Sequence, residues 1–189
     1  MKRIAIFASG SGSNAENIIK YFQDSTNIRV QLVISNKEDS KVLNRAISHG
    51  VDSQVFSKLE LEKGDVLTEL KYKKIDFIVL AGFLLKIPKQ IINKYKNKIV
   101  NIHPSLLPLY GGIGMYGINV HRKVSDSKDE ESGITIHYVN NHYDKGQIIF
   151  QAKCPLYPNI KPKEIQKKVH KLEIKFFPRI IQNLLDGKN

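Results

Sequence analysis

The stretch from Asn101 to Pro108 sets an amide and an imidazole among apolar residues, where a strand-like run meets a proline-containing turn. Side chains alternate between the two faces of an extended segment, so Asn101 and His103 should share one face while Val100 and Ile102 face the core. An amide N–H can stabilise a developing oxyanion, and an imidazole can exchange a proton near neutral pH. These residue types at this spacing are typical of an acid-base site at the end of a strand.

Pro104 indicates where that strand ends. Its ring biases His103 towards an extended conformation, and it has no N–H to give to a strand ladder. The imidazole is therefore expected at the exit of the strand. A structural interpretation stays open for an isolated Asn-x-His, namely a core histidine bonded to a backbone carbonyl beside a turn asparagine.

The elements that must position these residues alternate between strand and helix. Apolar runs indicate strands over 3–8, 28–34, 53–56, 75–80, 99–103, 133–139 and 147–152. Apolar residues at helical spacing indicate helices over 14–22, 40–49, 59–72 and 162–185, the last with a kink at Pro178. We therefore predict an α/β fold with a doubly wound, mostly parallel sheet and helices on both faces. The loops 10–14, 81–87 and 101–107 should then meet at the carboxyl rim, where such sheets bind ligands.

The turn before the first helix could hold an anion. Gly12, Ser13 and Asn14 are small or polar residues at a helix N-terminus, where free N–H groups and the helix dipole favour a phosphate. The pattern Gly10-x-Gly12-x-x-Ala15 also matches half of a dinucleotide fingerprint, which keeps a dinucleotide-binding oxidoreductase as an alternative. The next strand ends in Ser35-Asn36 instead of the acidic residue that such a site would carry. A monophosphate is therefore favoured.

Composition limits the class of protein. The chain has 189 residues with no long linker or charge block, so we expect one domain, 1–189. The net charge of +12 suits an anionic substrate, but the lysines are scattered singly, which argues against a nucleic-acid partner. Cys154 is the only cysteine, so we expect neither an intrachain disulfide nor a metal site. The apolar run near the N-terminus is too short for a signal peptide or membrane span, so we expect a cytoplasmic protein without a membrane partner.

The segment Asn101-Ile102-His103-Pro104-Ser105-Leu106-Leu107-Pro108 resembles the signature of the folate-dependent formyltransferases, in particular those that act on phosphoribosylglycinamide. Further segments fall in the same order as in that family: Gly10–Asn14, Ser35–Lys37, Leu80–Phe83, Gly133–Val139 and Asp144–Gly146. The resemblance covers nearly the whole chain. It implies a Rossmann-like formyltransferase fold, 10-formyltetrahydrofolate as co-substrate and glycinamide ribonucleotide as acceptor, in purine (IMP) biosynthesis.

The resemblance also implies roles for particular residues. Asn101 and His103 would stabilise a tetrahedral intermediate, with Asp144 holding the histidine charged and assisting proton transfer. Gly12, Ser13, Asn14 and Glu173 would bind the ribonucleotide. The residues implied to contact the folate are Leu84, Leu85, Lys86, Ile87, Asn101, Asn140, Asn141, His142, Tyr143 and Asp144. The chain departs from the commoner family pattern at Leu85, Lys145 and Ile174.

Several of these residues have plain structural alternatives. Asp144 could be only a turn residue, Glu173 only a solvated helix residue, and Leu84 and Leu85 ordinary core. Within the same superfamily, methionyl-tRNA formyltransferase and formyltetrahydrofolate deformylase share the Asn-x-His theme, but each normally has a further domain for which we expect no room here. We expect a monomer or a homodimer, between which the sequence does not decide.

Overall fold

The computed structural model describes residues 1–188, which form one seven-stranded sheet with helices on both faces. The strands are β1 (Lys2–Phe7), β2 (Ile28–Ser35), β3 (Asp52–Val55), β4 (Phe77–Leu80), β5 (Ile99–His103), β6 (Glu131–Tyr138) and β7 (Ile148–Pro155). The helices are α1 (Ser13–Phe22), α2 (Lys41–Ser48), α3 (Lys58–Lys63), α4 (Asp65–Tyr72), α5 (Lys89–Lys94), α6 (Ile118–Asp126) and α7 (Pro162–Leu185). None of the helices within residues 1–188 has the length and apolar character needed to span a membrane.

The strand order is β3-β2-β1-β4-β5-β6-β7. The first five strands in this order pair in parallel, whereas β6 and β7 are antiparallel. This confirms the predicted doubly wound, mostly parallel sheet. The chain reverses its direction of travel across the sheet between β1 and β4, and a crevice opens at such a point beyond the carboxyl ends of the strands.

The sheet is buried on both faces, as the continuous apolar runs predicted. In β1, Ile4 and Ile6 belong to the core cluster packed against α1 and α7, while Ala5 and Phe7 belong to a second cluster on the opposite face. All four side chains are inaccessible to solvent. Burial on both faces fixes the strand ends, and with them the loops that carry the candidate site.

One predicted boundary is corrected, and one predicted kink stays open. The single helix expected over 59–72 is two helices, because Gly64 adopts a φ of 104° between α3 and α4. A left-handed residue ends a helix, and glycine adopts that conformation without strain. The last helix runs uninterrupted from Pro162 to Leu185 with Pro178 buried inside it, and the kink expected there stays a prediction.

Candidate active site

A cavity of about 840 Å³ lies at the carboxyl end of the sheet, within the size range of small-molecule sites. The ends of β1, β4 and β5 form its floor, and α7 and the hairpin between β6 and β7 close its sides. The three loops predicted to share one rim therefore do so. Ser9 ties two of them together, since its hydroxyl accepts a hydrogen bond from the Leu84 N–H at 2.9 Å.

Asn101 and His103 lie where strand alternation predicted. Both line the cavity, whereas Val100 and Ile102 belong to the buried core. The Nδ2 atom of Asn101 lies 3.1 Å from Nε2 of His137, which sits opposite Asn101 in the β5–β6 pair. The Nδ1–H of His137 points to the carbonyl of Tyr138 at 2.8 Å, so His137 Nε2 is the acceptor. One amide hydrogen of Asn101 is thereby held, and the second is free for a ligand.

His103 is 4% exposed and has two polar neighbours. Its Nε2–H donates to the backbone carbonyl of Tyr110 at 2.7 Å, which is the contact that the structural interpretation expected. Its Nδ1 lies 3.6 Å from Oδ2 of Asp144. The ring is therefore both anchored to the backbone and directed at a carboxylate in the cavity.

Asp144 stands between two histidines. Its Oδ1 lies 3.6 Å from His137 Nε2, and its Oδ2 accepts the Gly112 N–H at 2.8 Å. Asp144 adopts a φ of 52°, an uncommon conformation for a residue with a side chain. The Asp144 carboxylate lines the cavity and bonds to the Gly112 loop, not back to its own loop.

Lys145, which differs from the commoner family pattern, does not disturb the backbone around it. Its side chain is exposed and its backbone has no positive φ. Gly146 is different, because a Cβ there would lie 1.6 Å from the Tyr138 carbonyl oxygen. Close backbone approach requires glycine at 146 and not at 145, so the lysine leaves the hairpin and the position of Asp144 intact.

Burial and charge oppose one another at His103. Burial lowers the pKa of His103 below its ordinary value, although the carboxylate of Asp144 and the carbonyl of Tyr110 act in the opposite direction. Burial alone would raise the pKa of the Asp144 carboxyl, but the neighbouring imidazoles and the Gly112 N–H outweigh burial and lower this pKa below its ordinary value. At neutral pH these shifts favour a neutral His103 beside an ionised Asp144 in the free site. The expectation that Asp144 holds His103 charged stays a prediction.

The turn at 12–14 begins α1 as predicted, with Gly12 as the residue before the helix at a φ of 75°. Neither Ser13 nor Asn14 caps it with a side chain, and the first N–H groups of a helix have no partner within it. Asn14 instead reaches α7, where its Nδ2 donates to Oε2 of Glu173 at 2.9 Å. Its Oδ1 is buried without a partner.

Glu173 is not a solvated helix residue, since its side chain is only 13% exposed. The oxygen that accepts from Asn14 also accepts from His170 Nδ1 at 2.9 Å. The hydrogen bond to Glu173 raises the pKa of His170 above its ordinary value. A histidine one turn before the glutamate thus contacts it.

The residues expected to contact the folate lie on the other side of the cavity, with one exception. Leu84, Leu85, Lys86 and Ile87 line it, as do Asn140, His142 and Tyr143. Asn141 is exposed and is not among the lining residues.

The residues from Leu84 to Ile87 differ in solvent exposure. Ile87 is also buried in the core, Leu85 packs against it, and Leu84 is 39% exposed. The Lys86 ammonium lies 5.8 Å from the centre of the Tyr143 ring, within cation–π range. Leu85 therefore fits the core alternative, and Leu84 presents apolar surface to the cavity.

Three histidines of the cavity were missed by the sequence reasoning. His137 alternates in phase with buried residues of β6, which could have placed it opposite Asn101 only if the antiparallel pairing were known. His170 stands at i−3 from Glu173, a spacing that could have been noticed. His121 on α6 is 2% exposed, its Nδ1 has no partner, and burial lowers its pKa to about 4. Within residues 1–188 no three His, Cys, Asp or Glu side chains are placed to share a metal ion.

The carboxyl rim of a doubly wound sheet brings an asparagine, a histidine and an aspartate together, as the resemblance to the formyltransferases implied. The comparison with protein families points to the same class of enzyme. Residues 2–181 match the model of the formyl transferase family. The chain therefore belongs to the formyl transferase family.

The relatives are more specific. The chain is 38% identical over 187 residues to a chloroplastic phosphoribosylglycinamide formyltransferase of Arabidopsis thaliana, covering 95% of this chain and 64% of the relative. It is 34% identical over 197 residues to the phosphoribosylglycinamide formyltransferase of Haemophilus influenzae, covering 100% of this chain and 89% of the relative. The crystal structure of phosphoribosylglycinamide formyltransferase from Anaplasma phagocytophilum superposes with a TM-score of 0.90 at 29% identity, over 99% of this chain and 88% of that one. The chain thus spans less than two thirds of the plant relative.

Proposed function

We propose that the protein transfers the formyl group of 10-formyltetrahydrofolate to the amino group of N1-(5-phosphoribosyl)glycinamide, a step of purine (IMP) biosynthesis. The observation that carries the proposal is the meeting of Asn101, His103 and Asp144 in one cavity beside a helix N-terminus. The names of the relatives support the choice of acceptor.

The substrates would enter from opposite sides. The 5-phosphate would lie on the free N–H groups at Gly12, Ser13 and Asn14, where the dipole of α1 favours an anion. Glu173 would accept hydrogen bonds from the ribose hydroxyls or the amine, next to the unpartnered oxygen of Asn14. This orientation directs the glycinamide amine away from α1 and towards β5.

The folate would occupy the side formed by two loops. Leu84 and Ile87 offer apolar contact, and Asn140, His142 and Tyr143 close the pocket from the hairpin. Lys86 lies at the exposed edge, where an ammonium can meet the glutamate tail of a folate. The formyl group of the bound folate would then face Asn101.

The neutral amine attacks the formyl carbon, and an oxyanion forms on the formyl oxygen. Asn101 donates its free amide hydrogen to that oxygen. The bond between the formyl carbon and N10 then breaks, while a proton leaves the attacking amine and one reaches N10. His103, neutral in the free site, accepts the first proton at Nδ1 and returns a proton to the leaving nitrogen. The ionised Asp144 stabilises the imidazolium that exists between these steps.

The test is a product assay with three acceptors. Purified protein with 10-formyltetrahydrofolate should give tetrahydrofolate and formylated product, followed by mass spectrometry, when glycinamide ribonucleotide is present. With methionyl-tRNA or with water alone the rate should be at least about 100-fold lower, since neither acceptor uses the phosphate turn and Glu173 together. Preferential formylation of methionyl-tRNA, or release of formate in the absence of an acceptor at a comparable rate, would replace the proposal with the corresponding family member.

A further inference from the structure

The turn at 10–12, which leads into α1, is held from behind by α2. The Val42 N–H, in the first turn of α2, donates to the Gly10 carbonyl at 3.3 Å. One helical turn later, the Nε–H of Arg45 donates to the Ser11 carbonyl at 2.9 Å. Residues three apart lie on the same face of a helix, so one face of α2 holds both carbonyls. The residues of the turn line the candidate active site, whereas these two residues of α2 do not.

A carbonyl held in this way fixes the direction of the next N–H. The C=O and N–H of a trans peptide point in opposite directions, and among the described residues the only cis bond joins Leu107 to Pro108. The N–H groups of Ser11 and Gly12 therefore point away from the α2 groups that hold the carbonyls. Neither N–H has a hydrogen-bond partner within residues 1–188. Two free donors thus belong to a turn that lines the cavity.

Glycine at position 12 makes this direction easy to lose. A Cβ at Gly12 would lie 2.6 Å from the Val42 Cβ, so the packing of α2 requires glycine. Glycine places little restriction on φ, and the peptide before it can therefore rotate at low cost. A rotated peptide would turn the negative end of the Ser11 carbonyl towards the cavity, where it would repel an anion. The hydrogen bond from Arg45 opposes that rotation.

Arg45 is itself oriented by α1. Its Nη1 forms an ion pair with the Glu16 carboxylate, which also lies 3.1 Å from the Lys20 ammonium and 3.3 Å from His49 Nε2. The contacts with Lys20, His49 and Arg45 lower the pKa of Glu16 to about 2, so the carboxylate is ionised at neutral pH. A guanidinium presents its donors in one rigid plane, and the pair at Nη1 therefore also sets the direction of the Nε–H.

We propose that Arg45 is a positioning residue for the acceptor: it holds the Ser11 carbonyl towards α2 and thereby keeps the Gly12 N–H directed at the 5-phosphate. Arg45 acts from outside the cavity and does not touch the substrate. The inference rests on the proposed function for the identity of the anion. Loss of the bond should weaken ligands that carry the phosphate and leave the folate unaffected, because the expected folate residues lie on the other side of the cavity.

Two uncharged variants separate the hydrogen bond from the charge. In Arg45→Gln the amide nitrogen is attached to Cδ, as Nε is in arginine, so a donor to Ser11 is retained without the positive charge. In Arg45→Met a methyl group occupies that place along the side chain, and neither donor nor charge remains. Both variants lose the ion pair with Glu16. A difference between them therefore reports the bond to Ser11 alone.

The first measurement is an NMR titration of the ¹⁵N-labelled protein with D-ribose 5-phosphate at constant ionic strength. The wild type should show saturable amide shifts at 11–14. Arg45→Met should bind this probe roughly 5- to 50-fold more weakly, and Arg45→Gln less than about 3-fold more weakly. Arg45→Ala, which also lacks the donor, should reproduce the loss seen with methionine. Arg29→Met removes an exposed arginine near the amino end of β2 and should leave the affinity unchanged.

The second measurement is steady-state kinetics with both substrates. Arg45→Met should raise the Michaelis constant for glycinamide ribonucleotide and leave that for the folate unchanged. Arg45→Gln should restore the wild-type value. A purely structural role for Arg45 would produce neither this split nor the restoration.

The possible failures are distinguishable. Equal weakening by glutamine and methionine would show that Arg45 acts through its charge, and unchanged affinity in Arg45→Met would show that the bond is not needed; either result overturns the inference alone. A wild type that does not bind D-ribose 5-phosphate would overturn the phosphate site of the proposed function and the inference with it. The expected order of affinities in a protein that forms no formylated glycinamide would support the inference and overturn the proposed function.

Discussion

Asp144 lies 3.6 Å from Nδ1 of His103, too far for a hydrogen bond and close enough for its charge to act on the ring. Burial of the imidazole has the larger effect, and the pKa of His103 stays below its ordinary value. The carboxylate therefore limits the shift caused by burial without reversing it. This balance can be measured by removing the carboxylate alone.

Asp144→Asn should lower the pKa of His103 further, because burial would then act without the opposing charge. An NMR titration of the His103 ring measures this directly, and Asp126→Asn on the exposed face of α6 is a control of equal charge. Turnover should fall more than the affinity for either substrate, since Asp144 is proposed to stabilise an imidazolium that exists only during the reaction. An unchanged His103 pKa would return Asp144 to the role of a turn residue.

His103→Ala should lower turnover by about 10²- to 10⁴-fold, the range for loss of an acid-base group. Asn101→Ala should lower it by about 10²- to 10³-fold, as loss of an oxyanion donor predicts. The measurement is kcat at saturating folate and ribonucleotide. Michaelis constants that rise while kcat stays unchanged would place both side chains in binding and not in the chemical step.

Glu173→Gln should weaken the ribonucleotide by roughly 10- to 100-fold, because a charge-assisted bond is lost, and leave the Michaelis constant for the folate unchanged. It should also lower the pKa of His170, which Glu173 raises through their hydrogen bond. The two readouts are independent. If the substrate binds poorly while the pKa of His170 is unchanged, the His170–Glu173 hydrogen bond of the free site does not contribute to substrate binding. Unchanged affinity together with a lowered His170 pKa would confine Glu173 to holding α7 against Asn14.

His121 should make folding depend on pH. Its pKa of about 4 in the folded chain lies below the ordinary 6.5, so the unfolded chain binds the proton more tightly between these values. Stability from this group is complete above about pH 6.5 and is lost as the pH falls towards 4, by about 2 kcal/mol between pH 7 and pH 5. Urea unfolding at the two pH values measures it. His121→Gln should remove that part of the difference, while His142→Gln at an exposed position should retain it; equal pH dependence in all three proteins would contradict the assignment.

Gly12 should not tolerate a side chain, independently of its proposed role in phosphate binding. A Cβ there would lie 2.6 Å from the Val42 Cβ, on a backbone with a φ of 75°. Gly12→Ala should therefore destabilise the fold by about 2 to 4 kcal/mol, measured by urea unfolding. Val42→Gly should cost less in the Gly12→Ala background than alone, because it removes two of the overlapping atoms, Cβ and Cγ2 of Val42. Additive effects of the two substitutions would exclude this contact as the reason for glycine.

Local sequence information was sufficient for the strand-exit pair. The alternation from Val100 to His103 and the proline at 104 predict which side chains face the cavity, and the structure agrees. The same local reasoning could not find His137, because its contact with Asn101 depends on an antiparallel pairing across 36 residues. Asp144 was assigned only through the resemblance, since an aspartate in a hairpin loop is ordinarily a turn residue.

The remaining differences between prediction and structure arise from tertiary context. The periodicity over 59–72 fits one helix, and only the backbone at Gly64 divides it. Asn141 was included with its neighbours in the loop, but it does not line the cavity as Asn140, His142 and Tyr143 do. The charge of His103 depends on burial from all sides, a quantity that spacing along the chain does not contain.

The bond between Asn14 and Glu173 joins residues 159 positions apart. Contacts between distant parts of a chain form late, since closing a long loop has an entropic cost and requires both partners to be present. During synthesis on the ribosome the turn at 12–14 and β5 emerge well before α7, so an incomplete chain can contain Asn101 and His103 and still lack Glu173. If Glu173 binds the acceptor as proposed, the nascent protein gains its affinity for the acceptor only after nearly the whole chain has emerged.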